Sequence, residues 1–420
     1  MKILFLDQSG KLGGAELCLA DIAQPFGQSS LVGVFADGDF PAKLRQLDIP
    51  VKVLTEQTLR VQKASGLLAG LKSLAQLWPL ISTVVRLSRS YDLIYANTQK
   101  ALVVGAIASF LGRRPFVYHL HDIVSAEHFS ATNRQIIITL ANRAALVIAN
   151  SYASRDAFIS AGGSADKLHV VYNGFAPEAY IKDHQRKTQE ESKTQSEDEA
   201  QSERSAALRQ GLVSNSSFSE SGSASPNAPF IVGHFSRLSP WKGQHVLIEA
   251  LQHCPDNVVA LLIGDALFGE EAYVQQLHQQ VKRLNLEHRV KFLGFRTDVP
   301  DLMAACDLVA HTSTASEPFG RVIVEAMLCG RPVVAAAAGG AMEIVEHGTT
   351  GWLTPPGNAA KLADIITTAC IHPTQAATIA QQGQMSAQQR FSLTAVNAQI
   401  NGLLNSLGTS TVKMPVSQHL

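Results

Sequence analysis

Short apolar, β-rich runs alternate with longer helix-like patterns along this chain, and they do so in two series. In the first series the runs are 3–6, 31–35, 51–54, 93–96, 116–120, 146–149 and 170–172, with helical patterns such as 14–24, 65–89 and 132–143 between them. The second has runs at 231–235, 259–263, 290–293, 308–311 and 333–336, with helical patterns at 243–252, 270–284, 320–329 and 359–370. Strands separated by helices close into parallel sheets through right-handed crossovers. Two series therefore imply an α/β chain of two doubly wound, Rossmann-like domains. Such domains bind ligands beyond the carboxyl ends of their strands, and two facing each other across a cleft would make a small-molecule site.

Composition sets the expected boundaries. Residues 1–181 form the first domain and 229–385 the second, and the length of 420 residues suits more than one domain. Between them, 182–228 is rich in Gln, Glu, Ser and Lys and nearly free of aromatics. Such a segment buries too little apolar surface to offset chain entropy, so it reads as a mostly disordered insertion with a short helix over 203–213. A partner-docking arm is the alternative to a tolerated insertion. A loose tail, 407–420, ends the chain.

Lys plus Arg and Asp plus Glu number 35 each, so no bulk charge draws the chain to nucleic acid. Five scattered cysteines without a C-x-x-C pair suggest neither zinc nor a disulfide framework, and a reducing, cytoplasmic compartment is expected. The N-terminal apolar run is too short for a signal peptide, and no stretch of ~18 uncharged apolar residues suggests a spanning helix.

The chemistry-bearing motifs sit at expected strand ends. Glu317-Pro-Phe-Gly-Arg-Val-Ile-Val-Glu325 carries two carboxylates around a Pro318–Gly320 turn that enters a helix, and Gly330-Arg331-Pro332 ends it. Glu317 would lie just before the helix N-terminus, and Glu325 one turn inside on the face that carries Arg321. Free N–H groups at such a terminus attract phosphate, and carboxylates beside phosphate are better explained as acceptors for sugar hydroxyls. Arg237-Leu-Ser-Pro-Trp-Lys242-Gly243 places two cations where a diphosphate, and the charge developing on it as it leaves, would be stabilised without a metal. Solvated surface cations are the plain alternative. No Asp-x-Asp pair follows a strand, so no metal is required.

Gly10 to Glu16, with Gly13-Gly14, lets backbone approach a ligand closely, or simply makes a tight strand-to-helix turn. Its spacing fails the dinucleotide fingerprint. His119-Leu-His121-Asp122 ends a strand, with both histidines on one side. A metal pair there is disfavoured because no third ligand is evident. Glu343, in Gly-Gly-Ala-Met-Glu, either reaches the same site or ties down its own loop. A stripe of Leu67, Leu71, Leu74, Trp78, Ile81 and Val85, with Arg60, Lys63, Lys72, Arg86 and Arg89 around it, packs on the first sheet or touches a membrane surface.

Together these motifs resemble the retaining glycosyltransferases of family 4, which have the GT-B fold. The resemblance is carried by Gly13-Gly14-Ala15-Glu16, His121-Asp122, Asn150-Ser151, Tyr172-Asn173-Gly174, Arg237 to Gly243, Glu317 to Glu325 and Gly339 to Glu343. It implies an acceptor-binding first domain and a second domain that binds a nucleotide-sugar donor, UDP- or GDP-linked first of all. Arg237 and Lys242 match the phosphate-holding positions, Glu325 the ribose-binding glutamate, and Glu317 the glutamate at the donor sugar. Phe319 and Gly320 match backbone contacts, His121 the histidine near the reacting centre, and Gly13 and Gly14 a loop near the phosphates. The resemblance further implies front-face transfer with retention, no cofactor and no metal, and a last helix, 386–406, that crosses back onto the first domain. Arg321 stands where the family often has an apolar or other residue, a departure that bears on the donor. The acceptor would be a glycan, a lipid-linked glycan or a small molecule, with peripheral contact at the inner membrane face open. The competing readings are a nucleotide-sugar epimerase or phosphorylase on the same fold, and a non-catalytic nucleotide-sugar-binding protein.

Overall fold

Fully buried parallel strands need apolar side chains on both faces, and the strands of this chain have them. The computed structural model describes residues 1–55, 67–180, 209, 211, 228–267 and 269–410, with backbone alone at 67–76 and 408–410. Ile3–Asp7 (β1), Leu93–Ala96 (β4), Phe116–Leu120 (β5) and Leu146–Ala149 (β6) are buried along their whole length. With Leu31–Val34 (β2), Val51–Val53 (β3) and Leu168–Val170 (β7) they form one sheet in the order β3-β2-β1-β4-β5-β6-β7. All pairings are parallel.

The second sheet repeats the plan. Phe230–Phe235 (β8), Val258–Ile263 (β9), Val290–Gly294 (β10), Leu308–His311 (β11), Val333–Ala336 (β12) and Trp352–Thr354 (β13) run β10-β9-β8-β11-β12-β13, again all parallel. In each sheet the strand order reverses beside the first strand, between β1 and β4 and between β8 and β11. That reversal opens a crevice at the strands' carboxyl ends.

Three expectations need correction. The strand expected at 170–172 is Leu168–Val170, because Val147 pairs with Leu168 and sets the register two residues earlier. β13 is too short to stand out as an apolar run, and sequence patterning missed it. The chain divides into Met1–Gly174 with the stretch from Leu393 on, and Phe175–Ser392. The last helix is therefore Leu393–Ser410, not 386–406, and residues up to Arg390 belong to the preceding helix Pro373–Arg390. The break comes at Phe391, which is buried against Phe319 at 5.6 Å between ring centroids. The Phe175 N–H donates to the Phe391 carbonyl at 2.9 Å, so the two ends of the second unit lie side by side. The expected 182–228 insertion lies outside the described residues apart from helical Arg209 and Gly211 and the stretch's final residue, Ala228. Arg209 forks onto Asp307 at 2.7 and 2.9 Å.

The helix Leu67–Ser88 carries part of the amphipathic stripe. Ile81 is buried and Val85 packs on the first sheet's cluster, as a packing face requires, whereas Trp78 is 58% exposed. The side chains of Leu67, Leu71, Leu74 and Lys72, and all of Arg60 and Lys63, lie outside the described residues. Among the described residues no helix is long and apolar enough to cross a membrane.

Val396, Ile400 and Leu404 of the last helix share a buried cluster with Ile3, Phe5 and Val32. Ile400→Ala should therefore cost about 2–4 kcal/mol in the first unit, read as faster amide exchange in β1 and β2. Unchanged exchange there would show that the helix is merely appended.

Candidate functional site

Two constellations gather the predicted side chains, one in each unit. In the second unit, Gly243 follows a single turn, Pro240–Lys242, and has φ 72°; a Cβ there would fall 1.9 Å from the Thr312 carbonyl oxygen. Only glycine lets this loop close on the end of β11. The closure brings Lys242 Nζ to 2.9 and 2.8 Å from the two Glu317 oxygens. Ser313 Oγ donates to Glu317 Oε2 at 3.0 Å, and His311 Nε2 lies 3.2 Å from the same oxygen. Glu317 itself is seated by its backbone: its carbonyl accepts from Gly340 N–H at 2.8 Å, and a Cβ on Gly339 would sit 2.2 Å from that carbonyl oxygen.

Burial by itself would raise the Glu317 pKa. The Lys242 charge and the bonds from His311 and Lys242 outweigh it and hold this carboxyl well below the ordinary range. It is an ionised acceptor at any working pH. Oε2 is crowded, whereas Oε1 takes only the Lys242 bond among the described residues, leaving a lone pair for a hydroxyl donor. Lys242 also lies 4.0 Å from the centroid of the Trp241 ring. His234, kept neutral by burial and pushed down to about 3, bonds Thr312 Oγ1 at 2.9 Å beneath the loop.

The other predicted residues of this unit lie around the pair. Arg237 follows β8 and pairs with Glu270 at 3.3 Å. Arg321 and Glu325 lie one turn apart on the helix Arg321–Leu328, 3.5 Å apart, and the Arg321 guanidinium stacks 4.4 Å over Phe175. Tyr180 hydroxyl also reaches Glu325, at 3.4 Å. Phe319 is a core ring rather than a surface one, stacked 6.3 Å from Phe175, so only its backbone is available to a ligand. Gly320, at φ 102°, caps the helix. Glu343 lies in the short helix Ala341–Ile344, where Arg390 bonds its carbonyl. Glu270, His311 and Ser313 were not foreseen. The signal for the last two was their place just ahead of Glu317, at the end of β11.

In the first unit the loop after β1 approaches as closely. A Cβ on Gly10 would lie 2.1 Å from the Asp37 carbonyl oxygen. Gly13 caps the helix Gly14–Ala23, and Gly14 is its exposed first residue. His121 Nε2 lies 2.9 Å from Asn97 Oδ1. The Asn97 amide donates to Asp7 Oδ2 at 2.7 Å and to the Ala15 carbonyl at 3.1 Å. With its nitrogen so committed, Asn97 must present oxygen to His121, and His121 Nε2 carries the proton. Asp122 accepts from Gln99 at 3.1 Å, and burial raises its pKa. The His119 and His121 rings lie tilted against each other with centroids 3.9 Å apart. The expectation that they lack a third companion is corrected: Cys18, on the helix after the glycine loop, brings a ligand atom within 4.8 Å of theirs.

Burial raises Asp7 from 3.8 to about 6; burial and then the Asp7 charge raise Glu16 from 4.5 to about 7. The folded chain therefore binds protons here that the unfolded chain has already lost. Stability from this pair is full below pH ~4 and falls as pH rises to about 7. Asp7→Asn should remove much of that fall, gaining on the order of 2 kcal/mol over wild type at pH 8 relative to pH 4. Denaturant unfolding across pH reads this, and parallel wild-type and variant curves would refute it.

The region 13–179 matches the model described as Glycosyltransferase Family 4, and 217–385 the one described as Glycosyl transferases group 1. Anabaena Alr3699/HepE, solved with UDP-glucose, is 57% identical over 97% of this chain and 100% of that one, with a TM-score of 0.83. N-acetyl-alpha-D-glucosaminyl L-malate synthase of Bacillus anthracis is 35% identical over 32% of this chain. D-inositol 3-phosphate glycosyltransferase of Corynebacterium aurimucosum is 26% identical over 66% of it. The matches span 34% and 62% of those two relatives' own lengths.

Proposed function

Since this chain belongs to the family 4 glycosyltransferases of GT-B fold, we propose that it transfers a hexose, with retention, from a UDP-sugar of the UDP-glucose type to an acceptor hydroxyl. The observation that carries this is the buried Lys242–Glu317 pair at the strand ends of the second unit. The likeness to a protein solved with UDP-glucose, and with UDP and glucose, supports uridine and glucose.

Each group has a role its chemistry fits. Two of the three Lys242 protons go to Glu317, and the third serves a phosphate oxygen. Arg237 adds a fork-shaped cation for the second phosphate. Glu317 Oε1 accepts from a sugar hydroxyl, and Glu325 from the ribose. Gly13 and Gly14 let backbone N–H groups approach the phosphates, and Gly320, with the Phe319 backbone, approaches the sugar. Arg321 orients Glu325 rather than touching the donor. His121 serves the acceptor, which binds to the first unit, with Asp122 beside it.

As the sugar–phosphate bond loosens, negative charge grows on the departing diphosphate. Lys242 and Arg237 stabilise that charge in place, so metal is not needed for it. The acceptor hydroxyl arrives on the face the diphosphate leaves and gives its proton to a departing phosphate oxygen. No protein nucleophile is required, and a buried Glu317 held by three neighbours is ill suited to be one. Rate comes from positioning and charge stabilisation. A role in glycan or polysaccharide synthesis at the cytoplasmic face of a membrane suits this chemistry.

Arg237→Ala should lower kcat about 100-fold while leaving the thermal transition nearly unchanged. Full activity in that variant would remove the phosphate role. For Glu325→Ala, UDP should bind about tenfold more weakly by calorimetry, and equal affinity would refute ribose binding. The anomeric configuration of the product, read by NMR coupling, decides retention; an inverted product sinks the front-face scheme.

A further inference from the structure

The two histidines at the end of β5 and the cysteine packed against them have no place in the transfer scheme as a set. His119 is 1% exposed, and its Nδ1 is bonded to the Tyr95 hydroxyl at 2.8 Å. Its Nε2 is buried with no hydrogen-bond partner among the described residues. A buried polar atom left unpaired costs ~1–3 kcal/mol, and such an atom calls for an explanation. Burial keeps this imidazole neutral, with its pKa far below the usual value. When Nδ1–H donates to Tyr95, Nε2 carries a lone pair, and a ring nitrogen of His119 lies within 4.8 Å of ligand atoms of Cys18 and His121.

We propose that Cys18, His119 and His121 bind one thiophilic divalent cation, Zn2+ being the fitting metal, and that occupancy of this site shuts off transfer. The ligand atoms of the three lie within 4.8 Å of one another, close enough for small rotamer shifts to bring them to bonding distance. A thiolate and two imidazoles form a soft donor set that suits Zn2+ and excludes Mg2+ as a tight ligand. Three protein ligands leave a fourth position for water.

The surroundings are already those of a metal site. A ligating imidazole holds its other nitrogen in a hydrogen bond that sets its tautomer. The Tyr95 hydroxyl, accepting from Nδ1–H, would do this for His119. For His121 the partner is Asn97, itself held by the Asp7 carboxylate, which leaves His121 Nδ1 as the ligand atom. Cys18 Sγ lies 3.3 Å from Asn173 Oδ1, the acceptor for its thiol proton. On binding, a sulfur–metal bond forms, the S–H bond breaks and the proton passes to solvent; no redox change occurs. The inhibitory half rests on the role given to His121 above, because a metal on its Nδ1 would fix the ring and occupy its basic nitrogen.

Protein stripped by chelator and titrated with Co2+ alone tests the site. The expected result is one equivalent of cobalt with a thiolate charge-transfer band in the near ultraviolet. The band should vanish in Cys18→Ser, which leaves Cys254, Cys306, Cys329 and Cys370 in place. His119→Gln should weaken Zn2+ at least about tenfold by competition. Absence of the band, or its survival in Cys18→Ser, overturns the site. With Zn2+, transfer should fall several-fold in the wild type and be insensitive in Cys18→Ser. Cobalt bound through Cys18 with transfer undiminished leaves the metal site standing and overturns the place given to His121. Zn2+ inhibition that persists in Cys18→Ser overturns the regulatory half.

Discussion

A charge buried in a protein needs a counter-charge at bonding distance, and the Glu317 carboxylate meets this condition through Lys242. Much of the second unit's sequence around the ends of β8, β11 and β12 serves that requirement. Gly243 lets the lysine loop close, Gly339 lets the neighbouring turn lie on the Glu317 backbone, and Ser313 and His311 complete the carboxylate's hydrogen bonding. Breaking one partner would leave the other charge buried and uncompensated, which is costlier than the pair is stabilising. The pair is thus both a structural bond and a preset geometry, and a donor that finds it needs to order few side chains.

The two sheets share one strand order and differ in electrostatics at the same topological place. At the β8/β11 reversal the groups presented are Arg237, Lys242 and a carboxylate already neutralised by lysine. At the β1/β4 reversal they are Asp7 and Glu16, whose carboxyls burial raises to about 6 and about 7, and a histidine oriented through Asn97. The difference lies in these few side chains, since the backbone plan is the same.

Strand existence was legible in the sequence because a fully buried parallel strand is an apolar run bounded by turn residues. β13 escaped, since three residues give periodicity nothing to act on. β7 slipped by two residues because Val170-Val171-Tyr172 is the more apolar stretch, whereas pairing with β6 decides the register. Glu317, Glu325, Arg237 and Lys242 could be named because glycines and prolines mark the loops, and the helix start, that carry them. Their partners could not. Glu270 is far from Arg237 in sequence, and Cys18 reaches the histidines only after β1 and β5 have taken their places in the sheet. Glu317 and Glu325, a matched pair in sequence, proved unlike: one is tied to Lys242, the other to Arg321 and Tyr180.

The helix Leu393–Ser410 gives the first unit Val396, Ile400 and Leu404, buried among residues from β1 and β2. A ribosome delivers β1 early and this helix only after the whole of the second unit's sequence. Domains tend to fold as they emerge, so the nascent first sheet spends that interval with this face covered by the helices Gly14–Ala23 and Asp39–Gln46 but without Val396, Ile400 and Leu404.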